Sequence, residues 1–586
     1  MQTILNNLQM FLNSDIKTFI LSIIWFFSIS LLLAHYLNKK QEETYVLSII
    51  VSGLILYIGG LIKHITFAYY GTWIIIVLLL IIILIRKKGK ELIKHIDLFA
   101  VISFSVVLLI LFVIYQNVAF RYTDEFMHWG PMVREMARID RFYCVPESNL
   151  LVHKDYPPFF SLIELLFCLF KGEYVEKYLY IGLLNFVYSI ILYVVTTNKK
   201  TVLNKTLTII SLVLAGLLFQ FLPNAKDSIG LYNSVYIDYV LAFYVFYIFY
   251  RIIKDKENIT YFEYSILFSA LLLTKQISVF FFLISILLML NKKDKIDIKK
   301  VIYVLIIPIL VFVSWKIVVG IYQINGQFNI SNFSIKSDAL DIIKNFIKLS
   351  LIQPLFNYPF KLPLIVCTAL IFIFLFIIKR SNVIIKQSFI ILIIGFIGYL
   401  ALLCFMYCFA FSIEEALSAA SFERYVLTII FVYLLLIITF ALNTNSLFTS
   451  LIVIGSLILF ADFNNSYLYK TTNTKDIIVV KQWGENISLD KTKDNGSVIT
   501  FKEREYIGED VTSESLLDEL SKYNYVYIFK YDDIFYQHWR KYTNGALLEN
   551  DSLYLISKEN SNIEFINDNY SSVYYEIKYY LHVDEE

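Results

Sequence analysis

The chain has 586 residues, 58% of them hydrophobic and only 17% charged, with a net charge of +2 and a mean hydropathy of +0.64. An apolar excess of this size excludes a soluble multidomain protein, in which roughly a quarter of the residues would be charged, and the near-zero net charge excludes a nucleic-acid partner, which needs a clustered positive excess. With 19 Gly, 9 Pro and 5 Cys, the collagen-like, low-complexity and disulfide-scaffold classes fail too, which leaves a polytopic membrane protein carrying some soluble mass.

Apolar runs of membrane-spanning length, about 17–25 residues, predict helices at 17–36, 45–66, 69–86, 97–118, 176–196, 206–223 and 236–253. The stretch 261–291 is apolar throughout except at Thr274-Lys275-Gln276, so it reads as two short spans meeting at that break. Further spans fall at 301–321, 361–379, 387–412, 425–442 and 446–461, giving about fourteen in an α-helical membrane region covering 1–461. The start of the chain carries no cleavable signal-peptide pattern. Residues 462–586 have a different composition, with β-like runs at Lys475–Val480, Ser497–Phe501, Tyr523–Lys530, Leu553–Ile556 and Val573–Tyr579 and a helical piece at Thr512–Lys522. They read as a small α/β domain outside the membrane.

Lys and Arg resist translocation, so the loops richest in them mark the cytoplasmic side. The loops 37–44, 86–96, 197–205, 251–260, 291–300 and 379–386 hold 2, 5, 3, 3, 5 and 3 of these residues and all fall on one side. Parity then places both termini, and the longer loops 119–175, 224–235, 322–360 and 413–424, outside a cytoplasmic membrane. Cys168, Cys367, Cys404 and Cys408 sit in apolar segments and only Cys144 in a wet loop, so a disulfide framework is not expected. No Cys/His set has structural zinc spacing.

The outward loops hold the chemistry. Asp124 and Glu125 stand side by side just past an apolar span, with a helix-like stretch running on to Arg138. On an α-helix, Asp124 and His128 would share one face, and Glu125 and Trp129 another. The bland account of such a pair is a helix N-terminus favoured by the dipole, with Arg134 and Arg138 as solvated charges. Farther along, His153-Lys154-Asp155-Tyr156-Pro157-Pro158 precedes the apolar run Phe159–Phe170, which is too short to cross and reads as an interfacial helix with Pro158 in its first turn. Asp238 follows Tyr236 at the start of one span, Lys275 interrupts an apolar run, and Arg424 precedes Tyr425 at the start of another. Each could be a charge that snorkels to the interface, although a cation between two short spans must be paired or face a cavity.

This ordered set resembles the C-class, membrane-embedded glycosyltransferases, which include protein mannosyltransferases and the aminoarabinose transferases of lipid A. The similarity covers roughly residues 97–442 and rests on Asp124-Glu125, Tyr156-Pro157-Pro158, Tyr236 with Asp238, Lys275 and Arg424-Tyr425. Two features depart from that pattern: three spans precede the one leading into the acidic loop, where those families usually have one helix, and the C-terminal domain is not shared by all members. The resemblance implies a sugar moved from a polyprenyl-phosphate donor to a cell-envelope glycan, lipid or protein at the outer face, with inversion. In that reading Asp124 is the general base and Glu125 orients the acceptor. Lys275 and Arg424 bind the donor phosphate, while His128, Tyr156 and Asp238 lend support behind them. A divalent metal held by Asp124, Glu125 and Asp238 is the lesser alternative to a metal-free site. The rival functions are a lipid-linked glycan flippase or transporter, whose ionisable groups would lie mid-bilayer in repeated halves, and a glycan polymerase or ligase at the same face.

Overall fold

The computed structural model describes residues 2–118, 120, 124–148, 150, 152–197, 202–218, 220–221, 229–254, 261–291, 298–324, 326, 336, 338–355, 362–381, 383–442, 477–483, 486–490, 525–529, 553–557 and 563–564. The chain divides into two compact units, one comprising Phe11–Phe112 and Met132–Tyr467, the other Met1–Met10, Val113–Pro131 and Leu468–Glu586.

The larger unit is a helical assembly. Helices stand at Ile16–Leu37, Tyr45–Leu61, Ile65–Ile85, Leu98–Ile114, Lys177–Thr196, Val202–Leu218, Ile237–Lys254, Ile298–Ile321, Leu364–Ser381, Val383–Phe409 and Phe422–Leu442, where the apolar runs predict them. The interrupted stretch resolves into Tyr261–Leu272 and Ser278–Leu290, with the break at Leu273–Ile277. The predicted span 446–461 lies outside the described residues. Among the described residues, six helices are long and apolar enough to cross a membrane by length and composition, fewer than the fourteen spans predicted, and several others are shorter apolar helices.

Burial separates two classes of helix. In Ile237–Lys254 every residue but Lys254 is buried, and this helix packs against Phe422–Leu442, Lys177–Thr196 and Ser278–Leu290. Ile65–Ile85 and Ser388–Phe409 instead bury only a minority of their residues and leave apolar side chains exposed along their length, Ile74, Ile75, Leu84 and Ile394 among them. Water does not tolerate apolar surface on that scale, whereas lipid tails do. A helical protein embedded in a membrane follows.

Two sequence expectations are corrected here. Phe159–Lys171 is a helix of the predicted length, flanked by Pro158, but it is buried on nearly every side and packs against Tyr45–Leu61 and Lys177–Thr196. It therefore has no face to lay on a membrane surface, and even its mid-helix Glu164 is 1% exposed. Cys144, expected in a wet loop, is buried, and burial pushes its thiol up to about 12. The helix-like stretch expected up to Arg138 is present as Gly130–Ile139, and additional helices at Gln2–Ser14 and Ala339–Ile352 lack the span-length apolar runs used to predict the others.

Opposite the break, the ends of the helices are also tied by charge. Arg251, 2% exposed, pairs with buried Glu263, and Lys39 Nζ reaches the other oxygen of that carboxylate at 2.6 Å. The guanidinium lies over the rings of Tyr193, Tyr247 and Tyr264 at 5.5, 5.7 and 5.6 Å. Arg251 and Lys39, counted from sequence as loop charges, are thus packing elements, satisfied in the way a buried charge requires.

In the smaller unit, five short strands pair in the order Asn486–Asp490, Ile477–Trp483, Tyr525–Phe529, Leu553–Ser557, Ile563–Glu564. Ile477–Trp483 and Tyr525–Phe529, rich in β-branched and aromatic residues, are parallel, and the remaining neighbours are antiparallel. The predicted strands near 475–480, 523–530 and 553–556 are present, while those at 497–501 and 573–579, and the helix at 512–522, lie outside the described residues.

Candidate functional site

Within the larger unit, three predicted site residues meet although they are far apart in sequence. Asp238 lies in the first turn of Ile237–Lys254, where a carboxylate is favoured by the helix dipole. Its Oδ1 accepts a hydrogen bond from Lys275 Nζ at 2.7 Å, and its Oδ2 lies 3.8 Å from Arg424 Nε. The second distance is an ion pair beyond hydrogen-bond reach, and among the described residues Oδ2 accepts no hydrogen bond. Asp238 is 2% exposed, while the side chains of Lys275 and Arg424 each keep 14% exposure. The carboxylate is therefore the buried foundation and the cations form the accessible layer above it.

Aromatic rings complete the cluster. The Lys275 ammonium lies 5.3 Å from the Tyr425 ring centroid, and the Arg424 guanidinium lies 5.4 Å from that of Tyr236 and 5.1 Å from that of Tyr425. Arg424 also donates to the Tyr425 hydroxyl at 3.3 Å. Tyr399, fully packed, donates to the Tyr425 carbonyl at 2.9 Å and fixes the start of that helix. Two cations held at one carboxylate and faced by π surfaces are an arrangement that could receive an anion, because the rings and Asp238 hold the charges in place beforehand.

The break places Lys275 in this cluster. Residues 273–277 are not α-helical, and the chain there is held by a Thr274–Ser278 hydroxyl bond of 2.6 Å and by Ser278 N–H donating to the Lys275 carbonyl at 3.0 Å. Gln276, the next residue, turns to Asp155 and donates to its Oδ2 at 2.8 Å. Tyr156 is half-buried; its ring stacks on His153 at 4.5 Å, and its carbonyl accepts from Tyr143 at 2.6 Å. The predicted solvated pair Arg134 and Arg138 is only half right. Arg138 is 46% exposed and bonds Glu135 at 2.6 Å, whereas Arg134 is 13% exposed and stands 3.8 Å from the same, fully packed, carboxylate.

In the smaller unit, the acidic motif departs from the α-helix expected of it. Glu125–Trp129 is a single π-helical turn that follows Asp124, and Gly130–Ile139 continues it as α-helix. A π turn is wider than an α turn, is rare, and is frequently found at functional sites. Within it the His128 ring lies against that of Trp129, centroids 4.3 Å apart. Glu125 is fully buried and Asp124 half-buried. Gly130 is required at the junction: a Cβ there would overlap the Phe120 ring and sit 2.8 Å from the Glu125 carbonyl oxygen.

Among the described residues no three His, Cys, Asp or Glu are gathered as metal ligands. The residues that sequence reasoning missed are Asp155 and Gln276, together with the rings of Tyr236 and Tyr425 as partners of the cations. Comparison with protein-family models, with curated proteins and with solved structures finds no match to this chain.

Proposed function

We propose that this chain is a glycosyltransferase of the cytoplasmic membrane, moving a sugar from a polyprenyl-phosphate donor to a cell-envelope glycan, lipid or protein at the outer face. The finer topology belongs to the same proposal: about fourteen spans, both termini outside, and an α/β domain at 462–586 in the same compartment as the reaction. The observation that carries the reading is the convergence of Lys275 and Arg424 on buried Asp238, in a chain whose motifs resemble the C-class glycosyltransferases.

The charges suit such a donor. A sugar–phosphate–polyprenyl diester carries one negative charge, and the polyprenyl phosphate that departs carries two. Two cations and one carboxylate sum to +1, which matches the bound donor. The further charge appears only as the sugar C1–oxygen bond breaks, so the attraction strengthens on the way to the transition state. Phosphate is already a good leaving group and needs no general acid. The acceptor oxygen bonds to C1 as its proton passes to a carboxylate base, and the electron pair of the broken C1–oxygen bond leaves on the phosphate; the resemblance assigns the base to Asp124 and acceptor orientation to Glu125. One displacement of this kind inverts the anomeric carbon.

The test is binding of a polyprenyl monophosphate to purified protein. Lys275→Met and Arg424→Gln should each weaken it roughly 10- to 150-fold, the value of a charge-assisted contact, while the protein stays folded. Unchanged affinity in both variants would remove the phosphate site and favour a transporter.

A further inference from the structure

The turn that carries Tyr156-Pro157-Pro158 is fastened to the helix break on both sides of Lys275. At its leading end, Asp155 Oδ2 accepts from Gln276 Nε2 at 2.8 Å. At its trailing end, the Phe159 backbone N–H donates to the Leu273 carbonyl at 2.9 Å. Lys275 lies between these two anchor points, Leu273 and Gln276, and its ammonium reaches Asp238 at 2.7 Å.

The strap itself is stiff. Two successive prolines fix φ and supply no N–H groups, and the Tyr156 carbonyl is held by the Tyr143 hydroxyl at 2.6 Å. Asp155 is 5% exposed, its own carbonyl accepts from Trp315 Nε1 at 3.2 Å, and Gly326 packs so closely that a Cβ on it would overlap the carboxylate. A buried carboxylate enclosed in this way cannot drift, and neither can the amide bonded to it.

We infer that Asp155 and Gln276 are positioning residues of the phosphate site: through the strap they set where the Lys275 ammonium stands. This rests on the reading that Lys275 holds the donor phosphate. It also gives the Tyr-Pro-Pro element a role, as the rigid part of a brace that need not touch substrate.

The experiment is a double-mutant cycle read as affinity for a polyprenyl monophosphate, with thermal unfolding of each full-length variant recorded alongside. Asp155→Ala and Gln276→Ala should each weaken binding roughly 3- to 10-fold, as expected for loss of one hydrogen bond. Asp155→Asn, which still accepts from Gln276 through its amide oxygen, should bind near wild type. Combined with Lys275→Met, Asp155→Ala should cause no further loss, because the group it positions is already gone. Equal losses with and without Lys275, or full affinity in Asp155→Ala and Gln276→Ala while Lys275→Met is impaired, would overturn the inference and leave the phosphate site standing. Unimpaired Lys275→Met would instead overturn the underlying reading. Should Asp155→Ala fail to fold, Gln276→Ala cuts the same bond from the solvent-nearer side and completes the cycle.

Discussion

Replacing Asp238 by Asn tests the electrostatic design of the cluster most directly. Asn is nearly isosteric and can still accept from Lys275, so the change removes charge and little else. With an effective dielectric near 20, a unit charge at 2.7 Å is attracted by roughly 6 kcal/mol and one at 3.8 Å by roughly 4 kcal/mol. Most of this gross attraction is offset by the desolvation of Asp238, which is 2% exposed. Deleting one member of a fully buried pair costs about 3–5 kcal/mol. Because Lys275 and Arg424 retain 14% exposure and can recruit some water, the lower end, about 3 kcal/mol, is expected here. The assay is unfolding of the purified protein in detergent, with and without inorganic phosphate. An anion that enters between the two cations should restore part of the lost stability, and should do so more in Asp238→Asn than in wild type. Stability within about 0.5 kcal/mol of wild type, together with no phosphate effect, would refute the view that this carboxylate holds the cations.

Asp124→Asn should leave polyprenyl-phosphate affinity intact and lower turnover at least about 100-fold, with Glu125→Gln milder; radiolabelled sugar transfer measures both, and the reverse ranking would exchange their roles. Gly130→Ala should destabilise by about 1–3 kcal/mol, since its Cβ meets the Phe120 ring and the Glu125 carbonyl; an unchanged melting curve would show that the π turn is not constrained there. Glu42 is pushed up to about 8 by burial, then by its hydrogen bond to and the charge of Asp97, against the pull of Lys40 and Lys205. Its folded value lies above its unfolded one, so its contribution to stability is complete below about 4.5 and lost as pH rises towards about 8. Melting against pH should therefore slope downward in that window and flatten in Glu42→Gln. Cysteines introduced at Lys40 and Lys88 should resist impermeant thiol reagents in intact cells while one at Asn495 is labelled, and the opposite pattern would invert the topology.

The apolar runs made most of the helical framework legible, because a long uninterrupted stretch of Leu, Ile and Phe has few alternatives. The break at Lys275 was legible for the same reason, since a cation amid such residues must have a cause. That Asp238, Lys275 and Arg424 should converge could be suspected from their places at span ends, but their pairing depends on which helices lie side by side, and periodicity carries no information about that. Asp155 was missed because in a polar loop a buried aspartate has the same composition as a solvated one; the only local signal was its place immediately before Tyr-Pro-Pro. The helix Phe159–Lys171 shows the converse error. Its length, too short to cross, made it look interfacial, yet a short apolar helix can equally well be enclosed by longer neighbours.

The helix Ile237–Lys254 carries Asp238 in its first turn and Arg251 in its last, thirteen residues and about 20 Å apart. Each charge is committed to partners outside this helix: Lys275 and Arg424 at one end, Glu263 at the other. A helix riveted at both ends cannot slide along its axis, since a shift of one turn, about 5.4 Å, would strand both charges at once. The depth of the cation cluster in the bilayer is therefore gauged from the opposite side of the protein. Under the proposed function, with a donor moored by its lipid tail, that gauge would decide whether the phosphate and the cations meet at the same height.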